Sequence, residues 1–166
     1  MLFNVALGIV LPWAVAIFVV RKDERFILAV MSPFATALGY TLNTLWSHQG
    51  FGYMLPKFED NLTLAGLPCE LGMFPVTVSL FIIMTMRTKK VVWMLLLFAL
   101  TDTACEGLGR TIGKLVYLNG WNIFETYIEY VAGFMANLWY WRMVERIARS
   151  QKWVTGTYLR GPDRIK

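Results

Sequence analysis

The feature that most limits how this chain can fold is a set of five long apolar runs, at residues 2–20, 26–46, 64–86, 91–109 and 123–144. A bilayer hydrocarbon core of about 30 Å takes about 20 mostly apolar residues in a helix, which is the length of each run. Backbone in hydrocarbon has no water to bond to, so a run of this kind folds as a helix, which bonds within itself. Composition supports the reading: 57% of residues are hydrophobic and 16% charged, against about 25% charged in soluble proteins. A mean hydropathy of +0.49 and 15% aromatic residues exclude a disordered or nucleic-acid-binding arm. The expected fold is an all-α polytopic membrane protein, with five transmembrane helices over residues 1–145 and a basic juxtamembrane tail over 146–166.

The first run is apolar enough to suggest a cleaved signal peptide, but no basic segment precedes it and no small-residue cleavage site precedes Arg21, so it reads as a retained helix. Lys and Arg set orientation. With the N-terminus outside and the C-terminus cytoplasmic, the inner side receives thirteen of the 16 basic residues and the outer side only Lys57, Arg110 and Lys114. Short turns at 21–25 and 87–90 make antiparallel hairpins. The connections 47–63 and 110–122 are longer, and Gly52 to Pro56 with Tyr53 and Phe58 suits the interfacial aromatic belt.

The acidic residues within the runs are not scattered. Glu70, Asp102, Glu106, Glu125 and Glu129 fall in one leaflet, and a central carboxylate costs about 2.5–3.5 kcal/mol on insertion. Asp102, Glu106 and Arg110 share one helical stripe, as do Glu125, Glu129 and Gly133, so the two stripes are expected to face each other. Two arrangements follow. In one, Glu106 pairs with Arg110, and Glu125 or Glu129 with Lys114, as a structural clamp. In the other, Glu70, Asp102, Glu106, Arg110, Glu125 and Glu129 enclose an outward-open pocket for a cation or the cationic part of a ligand.

Cys69 and Cys105 precede Glu70 and Glu106 at similar depths, which allows a disulfide as well as two free thiols. No short fixed metal-ligand spacing exists, so no metal and no cofactor is expected. Gly109 and Gly113 match a small-xxx-small packing pattern, and Pro12, Pro33 and Pro75 are expected to kink their helices. Arg142, Arg146 and Arg149 share a face, and with Lys152 they suit anionic lipid head groups.

Glu106, twelve intervening residues and then Asn119-Gly120-Trp121-Asn122-Ile123 form the most distinctive pattern, with Met73-Phe74-Pro75 following a loop that holds Pro56 and Asp60. Residues 55–145 resemble an uncharacterised family of small multi-helix membrane proteins of spore-forming Gram-positive bacteria. The resemblance implies a bacterial plasma-membrane protein and marks Glu106, Asn119, Gly120 and Trp121 as signature positions, without supplying an activity. The basic C-terminal tail departs from that pattern.

The functional expectation is a non-enzymatic integral membrane protein acting through assembly with a membrane-protein partner or a second copy of itself. The alternative is a small transport component that binds a cation or proton at the carboxylates. A membrane enzyme ranks last, because the chain has one histidine, no phosphate-cradling loop and no Asp-rich metal motif.

Overall fold

A computed structural model describes residues 1–57 and 63–150; Phe58, Asp60 and all residues from 151 onward, Lys152 included, lie outside the described residues. The architecture is all-α. Among the described residues it rests on five long helices: α1 (Leu2–Val19), α2 (Arg25–His48), α3 (Cys69–Thr88), α4 (Val91–Thr111) and α5 (Ile123–Ser150). The first four lie in segments long and apolar enough to cross a membrane. The 28 residues of α5 span about 42 Å. Its apolar centre is shorter, flanked by Glu125 and Glu129 on one side and Arg142, Glu145, Arg146 and Arg149 on the other. Residues 142–150, the start of the basic juxtamembrane segment, continue this helix.

Contacts at the two ends show that the helices alternate in direction. At one end, Asn4 Nδ2 near the start of α1 donates to the carbonyls of Leu55 (3.0 Å) and Ala65 (2.8 Å). The two long connections meet there as an antiparallel ribbon of β1 (Gly52–Met54) and β2 (Leu115–Tyr117), with Tyr53 opposite Val116. At the other end, Arg87 in the last turn of α3 grips Glu24 in the α1–α2 turn with two parallel bonds. Nε reaches Oε1 at 2.7 Å and Nη2 reaches Oε2 at 2.5 Å. This fork geometry is the strongest form of a charge-assisted pair. The turn that follows α3 is closed by Lys89 in the left-handed conformation (φ 60°).

Helix α3 is the hub, packing against the other four. Its crossing with α1 is unusually close, and two prolines explain its form. A proline has no N–H and its ring collides with the carbonyl four residues back. Pro12 and Pro75 each follow a widened π-turn, Ala6–Val10 in α1 and Cys69–Met73 in α3, which makes room for the ring. The two widened turns pack on each other through Gly8 and Gly72. A Cβ on Gly8 would lie 2.8 Å from the carbonyl carbon of Pro68, and one on Gly72 would overlap the carbonyl oxygen of Gly8. The carbonyls stripped of partners by Pro75 are satisfied by neighbouring helices: Leu71 accepts from Trp13 Nε1 at 3.0 Å, and Glu70 from Thr36 Oγ1 at 2.9 Å. Pro33 lies inside the continuous helix α2.

Away from the ribbon the bundle is solid. Phe81, Phe98 and Phe134 form a triangle of rings with centroids 5.0–6.1 Å apart, above Met31, Ile82 and Ile83, all fully buried. The outer surface carries large apolar side chains, such as Phe18, Trp93 and Leu100, a pattern compatible with a lipid-facing exterior.

The glycine crossing yields a direct test. Gly72→Ala is expected to lower the melting temperature in detergent markedly, since the backbones must separate or the helices shift. Gly133→Ala, where an added Cβ meets nothing within 4 Å, is expected to be neutral or slightly stabilising, because alanine favours a helix interior by about 1 kcal/mol over glycine.

Candidate functional site

At the ribbon end the helices part around a cavity of about 360 Å³. Helical spacing delivers its polar lining. Gly39 and Asn43 come from one face of α2, Glu70 from the π-turn of α3, Asp102 and Glu106 from consecutive turns of α4, and Glu129 and Asn137 from α5. The walls between them are apolar, with Leu7, Leu38, Met73 and Phe74 among the lining side chains.

The carboxylates differ sharply in how they are satisfied. Glu106 is held by three hydroxyls: Oε1 accepts from Tyr117 (2.6 Å) and Thr126 (3.2 Å), and Oε2 from Tyr130 (2.7 Å). Thr126 Oγ1 is itself held by Trp121 Nε1 at 2.9 Å. The Tyr117 phenol lies in the ribbon, where burial and the adjoining Glu106 carboxylate push its pKa well above the usual tyrosine range, so it remains a donor in alkaline conditions. Glu70, 1% exposed, faces Asn43 and lies over Gly39, where a Cβ would come within 2.7 Å of Oε2. That oxygen has no hydrogen-bond partner. Asp102, also 1% exposed, accepts from Thr77 Oγ1 at 3.2 Å through Oδ2, while Oδ1 has no partner. Asn137 completes the set: Nδ2 donates to the Gly133 carbonyl at 2.9 Å, and Oδ1 is unpartnered.

Glu129 lines the same cavity, near enough to Glu106 and Glu70 for their charges to repel. Among the described residues the ion pairs are Arg87–Glu24 and Arg149–Glu145, neither of which touches the cavity. No three His, Cys, Asp or Glu side chains among those residues converge closely enough to hold a metal ion. The site is therefore an apolar chamber with several carboxylates in its lining and, among the described residues, no counter-charge bonded to them.

Comparison of the chain with protein-family models, with curated proteins and with solved structures finds no match. The geometry is thus the basis for any functional reading.

The structure separates residues that the sequence grouped together. Glu70, Asp102, Glu106 and Glu129 line one cavity; Glu125 and Arg110 do not. Glu125 closes a capping box instead, accepting from the backbone N–H (2.9 Å) and side-chain amide (3.0 Å) of Asn122, whose Oδ1 accepts from the Phe124 N–H. Arg110 stacks on the Tyr117 ring at 4.8 Å, with no ion pair to Glu106. Lys114 lines the cavity mouth with Nζ over the Phe3 ring at 5.4 Å, also unpaired with Glu125 or Glu129. The expected clamp is thus replaced by hydroxyls, which hold Glu106 without the cost of desolvating a second ion.

Cys69 and Cys105 are both free thiols lining the cavity. Asn119 (φ 49°) and Gly120 (φ 81°) make the turn before α5, and Asn119 Nδ2 ties it to the Gly50 carbonyl at 2.8 Å. Trp121 packs between Phe51 and Trp46. Arg142, Arg146 and Arg149 are exposed on the last turns of α5, with Arg149 bonded to Glu145 at 2.6 Å.

The residues not singled out from sequence are Tyr117, Thr126 and Tyr130 around Glu106, with Thr77, Asn43 and Asn137. The two asparagines inside apolar runs were a readable signal, since an amide there needs a partner. Nothing local marks Tyr117, which reaches Glu106 only because β2 folds back over the cavity. Tyr117→Phe and Tyr130→Phe are each expected to lower the unfolding free energy in mixed micelles by about 1.5–3 kcal/mol, the scale of a hydrogen bond to a charged group. Glu125→Gln is expected to cost less, about 1 kcal/mol or below, as a cap exposed to solvent.

Proposed function

We propose that this is a non-enzymatic integral membrane protein that works by recognition, its acidic cavity receiving the positively charged part of a ligand or of a membrane partner. The observation that carries this reading is the pair of buried, unpartnered carboxylate oxygens, Glu70 Oε2 and Asp102 Oδ1, on side chains that line a cavity and form no ion pair among the described residues. Such oxygens are costly unless water, a proton or a counter-charge meets them. In this reading all five helices cross the bilayer. The N-terminus and the ribbon lie outside and the C-terminus lies in the cytoplasm, the orientation that the distribution of Lys and Arg favours. The family resemblance supports a bacterial plasma membrane as the location. Arg142, Arg146 and Arg149 then lie at the cytoplasmic surface against anionic lipid, each contributing about 1 kcal/mol.

Transport or permeation of a cation or proton is the rival reading, because the same oxygens suit a transported ion. The solid half of the bundle favours recognition over it. The deepest lining residues are Ala35, Val78 and Asn137, and the ring triangle of Phe81, Phe98 and Phe134 packs the interior beside them, with Phe81 and Phe98 outside the lining.

In nanodiscs, organic ammonium ions are expected to raise the melting temperature of the wild type, while a Glu70→Gln, Asp102→Asn double variant shows no such shift. Equal shifts in both proteins would overturn the recognition reading. Cation flux in proteoliposomes that disappears with Asp102→Asn would replace it with transport.

A further inference from the structure

We infer that the ligand of this cavity is a membrane-borne amphiphile with a single organic cation, an ammonium on a hydrocarbon body, which enters sideways from the bilayer between α1 and α4. The inference rests on the recognition reading above and adds the ligand's chemistry and route.

Three observations define the chemistry. The polar pole is acidic and incomplete: Glu70 Oε2, Asp102 Oδ1 and the Asn137 amide oxygen have no hydrogen-bond partner, each on a side chain at least nine-tenths buried. An ammonium supplies several N–H donors from one centre, whereas a metal ion needs ligands gathered at short range, and no three of the acidic side chains among the described residues gather that way. Most of the remaining chamber wall is apolar, so a bare inorganic cation would leave most of it without a complementary surface.

The route follows from packing. Helix α1 packs on α3, and α4 packs on α3 and α5, but no packed interface joins α1 to α4. Phe3, Leu7 and Leu11 on α1 recur every four residues and form one stripe. Leu108 and Ile112 face them across the chamber from α4. All five line the cavity and are also exposed on the outer surface, from 42% for Phe3 to 64% for Leu108. A residue that does both lies at the lip of an opening. These five lip residues are apolar, and Lys114 sits at the ribbon end of the opening with Nζ over the Phe3 ring, so a ligand arriving past Leu7, Leu11 and Leu108 carries a hydrocarbon part. The water-side approach is covered by the ribbon, with Met54 and Leu115 lining the cavity from above and Tyr117 tied to Glu106.

The test uses the full-length protein in lipid nanodiscs, with binding to empty nanodiscs subtracted, and three probes: dodecylamine, dodecanol and methylammonium. Dodecylamine is expected to bind at least about tenfold more tightly than either of the others, since only it meets both poles. Glu70→Gln with Asp102→Asn is expected to remove that advantage. Leu108→Trp, at an exposed lip position that tolerates bulk, is expected to weaken or slow dodecylamine binding and leave methylammonium unchanged. Methylammonium binding as tight as dodecylamine would overturn the amphiphile while leaving cation recognition standing. Dodecanol matching dodecylamine, with the double variant unchanged, would overturn both. Unaltered dodecylamine binding to Leu108→Trp would overturn the lateral route.

Discussion

A carboxylate taken out of water needs a counter-charge, a proton, a set of donors or a wet cavity, and much of this structure follows from how that requirement is met for three of them. Glu106 is met with donors. Its two oxygens take hydrogen bonds from Tyr117, Thr126 and Tyr130, which binds β2, α4 and α5 into one unit. Glu70 and Asp102 are met only in part, with Asn43 and Thr77 as their side-chain partners. Because the hydroxyls are used on Glu106, buried acceptors on Glu70 and Asp102 remain without partners beside the cavity rather than in a closed network.

The backbone supports this from an unexpected direction. Pro75 forces the π-turn that carries Glu70, and the turn frees carbonyls that Thr36 and Trp13 then capture. The matching turn before Pro12 brings Gly8 against Gly72, so α1 closes on α3 tightly enough to wall the cavity on one side. Its other side meets no packed partner on α4. The same device that positions the acidic side chain therefore fixes α1 on α3, while no packed interface joins α1 to α4.

What the sequence made legible was what depends on local periodicity and run length. The helices, their short turns at 21–25 and 87–90, and the clustering of acidic residues toward one end follow from where charge interrupts apolar runs. The rest depends on contacts between distant residues. The ribbon joins Gly52–Met54 to Leu115–Tyr117, three residues each and about sixty apart, with no alternating pattern long enough to announce a strand. Glu125 shares a stripe with Glu129, yet Asn122 lies three residues before it, and the capping box draws it to the helix end. Arg110 lies four residues from Glu106 on one helix, but the Tyr117 ring that β2 places between them takes the guanidinium. In both cases the spacing was right and a nearer partner prevailed.

The central claim concerns where four acidic side chains point, and an experimental structure of the full-length protein in lipid bears on it most directly. The arrangement described here requires Glu70, Asp102, Glu106 and Glu129 to line one chamber between α2, α3, α4 and α5. Glu106 should be within hydrogen-bonding distance of Tyr117 and Tyr130, and density should lie against Glu70 and Asp102. Side chains turned outward into the acyl chains, or Glu106 paired with Arg110 in a closed bundle without a chamber, would contradict it.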